Sequence, residues 1–395
     1  MAPLAQFLQD AGRHLPAWFP LLTAVLGIVA LSRGRMKAGC ALGLGACALG
    51  LLSAQRFEPW FNAVNQGATG VPTIRLVLSL GALAWLGGIL AEGGAAAKLA
   101  GTFTNMPSGL KAVLAPLFLG LMPGHSHRPA EAEGWFSRIP GLALPVGAAL
   151  VLAADLGGLT LGQASRALLP LAIALLAVGL LCFAPREKAS AAGFSGAGLK
   201  TLIPVLLAVA LAFLLPQWEI PGIRAATFLH RTVEGLAGLL TPLATGAFLG
   251  GMVAARALGL GPSILLKLLK RAFSPDLLAL AAGAKILEQV GRVQASRSAA
   301  PYNESAVQSA AAVLEHLGPA APLAALAVPA VLAFVAGDVV VALACTLPFL
   351  SGSSGSFTLI CAGAWLGAAL APRETRRAIA LPAALGALAA ALLSR

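Results

Sequence analysis

About ten runs of apolar residues, each close to the length of a membrane-crossing helix, divide this chain, and its charges stand mostly between them. A helix needs about 20 apolar residues to cross the hydrocarbon core of a bilayer. Hydrophobic residues make up 58 % of the chain and charged residues only 11 %. Mean hydropathy is +0.86, whereas a soluble domain carries about 25 % charged residues. The expected fold class is an all-α polytopic membrane protein embedded in a lipid bilayer. The net charge of +12 then reads as basic loops rather than a nucleic-acid footprint, because Lys and Arg concentrate in cytoplasmic loops.

The expected spans lie at about 15–31, 38–54, 73–92, 139–158, 167–184, 201–216, 235–256, 276–290, 354–371 and 378–393. The N-terminal stretch has no basic segment ahead of its apolar run, so no removable signal peptide is expected. The five cysteines (Cys40, Cys47, Cys182, Cys345, Cys361) form no C-x-x-C and lie in or beside apolar runs. They read as small buried side chains. Residues 55–72, with Phe57, Trp60 and Phe61, read as interfacial, and the basic stretch 262–272 as a cytoplasmic segment or an amphipathic helix on anionic lipid.

Two further apolar stretches, about 110–136 and 319–350, are broken by Pro, Gly or polar residues. If Arg33, Arg35, Lys37, Lys98, Lys111, Arg186, Lys188, Lys200, Arg256, Lys267, Lys270, Arg271, Arg373, Arg376 and Arg377 all face the cytoplasm, both stretches must enter and leave on one face. Both termini then lie outside, in a bacterial inner membrane. The chain divides into residues 1–184, a linker at 185–200, and residues 201–395. Each half holds five spans and one broken hairpin, in opposite orientations. "APLFLGLMPGH" (115–125) aligns without gaps on "VPAVLAFVAGD" (328–338), and "ILAEGG" (89–94) on "ILEQVG" (286–291). Inverted-topology repeats with paired discontinuous segments are the architecture of secondary transporters, whose sites lie where the breaks meet.

The polar residues at these breaks are the candidate site. "GHSHR" supplies Gly124, His125, Ser126, His127 and Arg128. Two histidines at i and i+2 with Glu131 or Glu133 suggest zinc, but a zinc site needs three or four ligands. A solvated loop and a hairpin tip are the other readings. At a tip, Arg128 binds a carboxylate or phosphate. Gly337 and Asp338 mark the second break, and Asp338 has no charged residue for more than 20 positions before it. An ionisable residue so placed in a membrane is functional by default. Asp155 and Glu288 are further candidates for ion coupling, although Lys285 can neutralise Glu288 by i,i+3 pairing. Ser351, Ser353 and Ser354 add hydroxyls near the second hairpin. No cofactor or structural metal is expected; H⁺ or Na⁺ is the expected coupling ion.

The runs "APLFLGLMPG" and "GWFSRIPGLALPVGAALVLAADLGGLTL", with "LAVPAVLAFVAG" and "AGAWLGAALAP" in the second half, resemble domain-of-unknown-function family 401. These are uncharacterised prokaryotic membrane proteins of the ion-transporter superfamily, related to gluconate-type permeases and dicarboxylate and citrate carriers. Leu121-Met122-Pro123-Gly124 stands at the place of that family's apolar turn, and Trp135-Phe136 and Arg138 at its "WFRH" stretch. The chain departs from it at His125-Ser126-His127-Arg128 and at Arg373-Glu374. The resemblance implies inverted repeats, a homodimer and elevator-like movement of anionic solutes.

The expected function is a secondary active transporter, not an enzyme, for a small organic anion. The rivals are a lipid or amphipath translocator, an intramembrane metal-dependent hydrolase using His125 and His127, and a structural membrane subunit. No G-x-x-x-x-G-K-[ST] is present, which disfavours ATP-driven pumping by this chain.

Overall fold

The computed structural model describes residues 19–34, 36–53, 55–104, 106, 108–123, 131–183, 196–214, 240–294, 305–350, 354–372 and 376–393. Among these there is no β-strand; one isolated bridge pairs Gln294 with Ser305. The helices are α1 Phe19–Arg33, α2 Ala38–Leu52, α3 Phe57–Thr69, α4 Val71–Glu92, α5 Ala95–Thr102, α6 Ser108–Leu119, α7 Glu131–Ala143, α8 Ala148–Leu156 and α9 Leu161–Phe183. After a 3₁₀ turn at Gly196–Leu202 come α10 Ile203–Leu214, α11 Pro242–Leu258, α12 Pro262–Ala272, α13 Pro275–Arg292 and α14 Ala306–Leu317. The last four are α15 Ala321–Ala336, α16 Val339–Leu350, α17 Ser354–Leu370 and α18 Arg376–Leu393.

Among the described residues, four helical stretches are long and apolar enough to cross a membrane: Phe57–Glu92, Gly134–Leu156, Leu161–Phe183 and Ala306–Ala336. Shorter apolar helices fill the rest of the bundle. Large apolar side chains stay exposed on the outer helices, among them Leu181, Leu323 and Leu381, as a lipid-facing surface requires. The fold is that of an all-α membrane protein. The expected span at 139–158 is two helices, α7 and α8, with a break between them. Pro145 lacks the N–H that would continue α7 and disfavours helical backbone at Leu144.

Small residues let the helices approach closely, as in membrane bundles generally. α2 and α13 run side by side in the same direction. Lys37 meets Asp276 at their starts (2.6 Å), and the Gln55 amide donates to the carbonyls of Val290 (2.9 Å) and Val293 (3.3 Å) at their far ends. A side chain at Gly39 would overlap the backbone of Ala279 and Leu280, and one at Gly283 the carbonyl of Gly39. α4 and α11 are likewise parallel. The Ser79 and Thr241 hydroxyls share a hydrogen bond at 2.7 Å, the Trp85 and Phe248 rings lie 5.5 Å apart, and Gly93 receives Leu258.

The short amphipathic helices cross over in the same reciprocal way. α3 lays Gly67 against Ile286 of α13, while α12 lies on α4. There the Trp85 indole donates to the Leu265 carbonyl (3.2 Å) and the Phe273 ring covers Gly81. These pairings, with α5 against the 3₁₀ turn near Gly198, bring Lys37, Lys98, Lys200, Arg256, Lys267, Lys270 and Arg271 to one end of the bundle. In the other part of the molecule α15 and α17 lie parallel, with Gly363 and Gly367 against the carbonyls of Leu326 and Ala330. α7 and α9 are antiparallel, with the Trp135 indole donating to the Leu175 carbonyl (3.1 Å).

Candidate functional site

The site is made by two helix breaks. α7 ends at Ala143, whose carbonyl would be orphaned by the break. The Ser165 hydroxyl of α9 donates to it. The chain turns through Leu144, Pro145 and Val146 and restarts at Gly147, which is extended (φ −123°, ψ 154°) and gives α8 no side-chain cap. The first-turn N–H groups of α8 thus have no side-chain cap among the described residues, and they carry the positive end of the helix dipole.

The second break is written in two residues. Gly337 takes φ 73°, a left-handed conformation that ends α15 and that glycine adopts without steric cost. Asp338 then starts α16. Its carbonyl accepts from the Ala342 N–H (3.4 Å) and its Oδ1 from the Val340 N–H (2.8 Å), as an N-cap does. α16 itself is buried over most of its length, from Val341 to Phe349.

The two breaks face each other. A cavity of about 410 Å³ is lined by Arg138 and Gly141 of α7, by Gly147 to Leu150, by Gly337 to Val340, and by Trp365 and Ala368 of α17. A second cavity, about 470 Å³, shares Gly147, Ala148, Asp338 and Val340 with the first. It runs from there past Leu80 and Leu83 to Lys37 and Asp276. The starts of α8 and α16 thus stand together where two cavities meet. At the far end of α8, Gly157 packs on Phe357 in the first turn of α17.

The first cavity has two charged lining residues among those described, Arg138 and Asp338. Arg138 Nη1 donates to the Ala368 carbonyl (3.3 Å), which steadies the guanidinium between α7 and α17. Trp365 stands edge-on to Trp135 at 4.8 Å, and its indole N–H has no hydrogen-bond partner among the described residues. An uncapped helix start and a guanidinium on one wall suit an anion. The Asp338 carboxylate, which lines the same cavity, suits a proton or a small cation. The remaining walls are apolar.

Beside the cavities a chain of charges ties α8 to α13. Lys285 Nζ lies 2.7 Å from Asp155 Oδ2 and 2.8 Å from Glu288 Oε2. Glu288 Oε1 in turn lies 2.8 Å from Arg292. The i,i+3 pairing expected of Lys285 and Glu288 is present, with Asp155 as a second partner from another helix.

Of the residues singled out in the sequence, Gly337 and Asp338 line the junction, and Asp155 and Glu288 sit together in the charge chain. Gly124, His125, Ser126, His127, Arg128, Ser351 and Ser353 lie outside the described residues, as does the side chain of Ser354. Pro123, next to Gly124, lines the second cavity with Asp338. Among the described residues no group of three His, Cys, Asp or Glu side chains is placed to hold a metal. Sequence reasoning did not select Arg138 or the Leu144–Gly147 break as site features. Their signal was present: an arginine inside an apolar stretch, and a Pro-x-Gly within a span. No family model matches the chain, and no curated protein matches it either.

Proposed function

We propose that this protein is a secondary active transporter that carries a small organic anion, coupled to H⁺ or Na⁺. The reading rests on one observation: two helix breaks, distant in sequence, meet at a junction of two cavities, the first of which both Arg138 and Asp338 line. The anion docks on Arg138 and the first-turn N–H groups of α8. The coupling ion neutralises Asp338. Ser126, His127, Arg128 and the serines at 351, 353 and 354 are proposed to complete the site.

The reciprocal packing of α2 and α3 on α13, and of α11 and α12 on α4, supports two inverted repeats. In this reading α1–α4 and α10–α13 form a frame, and α7–α9 with α15–α18 form the moving body of an elevator. The basic end of the bundle faces the cytoplasm of a bacterial inner membrane. The second cavity then opens toward that side.

The test is uptake into proteoliposomes from a panel of labelled monocarboxylates, dicarboxylates, sugar acids and phosphorylated acids, with an imposed pH or Na⁺ gradient. One class should accumulate only while the gradient stands, and Arg138→Gln and Asp338→Asn should each abolish accumulation in folded protein. Accumulation of no class, or uptake by Asp338→Asn with unchanged ion dependence, defeats the proposal. One observation favours a lipid translocator instead: an almost wholly apolar cleft of about 440 Å³ between α1, α14, α15 and α16. That reading requires transfer of fluorescent phospholipid between leaflets and indifference to Arg138→Gln.

A further inference from the structure

α12 and the end of α11 carry a surface that neither cavity uses. Arg256, Lys267, Lys270 and Arg271 are all exposed there. None has an ion-pair partner among the described residues, and no acidic residue occurs from Thr241 to Pro275. Lys267, Lys270 and Arg271 follow the i, i+3, i+4 spacing that puts them on one helix face. The opposite face is fixed to the bundle, with Leu268 and Ala272 buried and the Leu265 carbonyl held by Trp85.

Next to the charges the surface is apolar. Leu249, Met252 and Val253 of α11 are 49 %, 57 % and 44 % exposed, and Leu266 of α12 is 54 % exposed. Met252 stands one turn before Arg256, and Leu266 one turn before Lys270. A soluble anion needs the cations alone, and an acidic protein or a nucleic acid gains little from exposed Leu and Met beside them. A molecule with a phosphate at one end and acyl chains at the other matches both.

The reciprocal helix sharpens the point. α3 packs on α13 as α12 packs on α4, yet α3 contains no Lys or Arg and exposes Phe57 and Phe61 instead. Two helices in corresponding positions thus carry different chemistry, aromatic on one and cationic on the other.

We propose that the α11–α12 corner binds the headgroup of an anionic phospholipid, with Arg256, Lys267, Lys270 and Arg271 on the phosphate and Met252, Val253 and Leu266 along the acyl chains. The site stands whether or not the chain carries a solute.

The experiment is native mass spectrometry of the full-length protein titrated with phosphatidylglycerol or phosphatidylcholine. Each basic residue near an anionic surface contributes about fivefold in affinity. Wild type should retain phosphatidylglycerol at least about a hundredfold better, and the triple variant K267Q/K270Q/R271Q should lose most of that preference. A control variant at the same end, K98Q/K200Q, should keep it. Equal preference in the α12 variant overturns the proposal, as does equal loss in the control or displacement of the lipid by equimolar inorganic phosphate. Hydrogen exchange on the wild type gives a reading that needs no variant. Phosphatidylglycerol, but not phosphatidylcholine, should slow exchange over residues 262–272, and no slowing also overturns it.

Discussion

The Lys285 ammonium sits 2.7 Å from the Asp155 carboxylate and so joins the far end of α8 to the middle of α13. Lys285 and Glu288 are each 6 % exposed, Asp155 28 %. Removing one member of a buried ion pair strands the other charge, which costs far more than the intact pair contributes. Because α8 begins at the cavity junction, this contact connects the proposed site to the proposed frame.

Lys285→Met should therefore lower stability by about 3 kcal/mol. Part of that loss should return in the double variant Asp155→Asn/Lys285→Met, which strands no carboxylate at α8. Thermal unfolding in detergent across the double-mutant cycle measures both. By contrast, Lys37→Gln removes a pair with both side chains more than half exposed and should cost under about 1 kcal/mol.

Asp338 has a structural part and a proposed functional one, and two substitutions separate them. Asparagine caps a helix about as well as aspartate, whereas alanine forfeits about 1 kcal/mol. Asp338→Asn should melt like wild type and fail in coupled uptake; Asp338→Ala should lose on both counts. If Asp338→Asn transports normally, the carboxylate serves only to start α16.

The Ser165 hydroxyl is the partner of the Ala143 carbonyl at the first break. Ser165→Ala leaves that carbonyl buried without a donor, at a cost of about 1–3 kcal/mol. Ser165→Thr keeps the hydroxyl and should stay within about 1 kcal/mol of wild type if its methyl is accommodated. Chemical denaturation of the three proteins checks the order.

At the α15–α17 contact a side chain on Gly367 would overlap the Ala330 carbonyl and one on Gly363 the Leu326 carbonyl. Gly367→Val should abolish folded protein, scored as loss of the monodisperse peak in size-exclusion chromatography. Gly43 has nothing near its missing side chain, so Gly43→Ala is the tolerated control.

The amino-acid sequence by itself determined the class of fold and where the chain could not stay helical. Long apolar runs with charges at their edges leave a membrane bundle as the solution. Gly337-Asp338 spells a helix stop and start in adjacent residues, because C-caps and N-caps are local chemistry. The stretch at 55–72, read as interfacial, holds α3, and the basic stretch at 262–272 is α12. Only the tertiary structure decided what each break faces. Among the described residues the first cavity sets Gly147 to Leu150, nearly 200 residues away, beside Gly337-Asp338, and the second adds Pro123, from the turn at 121–125 that sequence alignment pairs with that break. Alignment of Ala-, Gly- and Leu-rich helices reports similarity of composition. Packing depends on which small residues, here Gly39 with Gly283 or Gly363 with Leu326, allow two backbones to touch. Lys285 shows the same limit: its neighbour Glu288 could be read three residues along one helix, while Asp155 became its partner only when the fold brought the end of α8 within reach of α13.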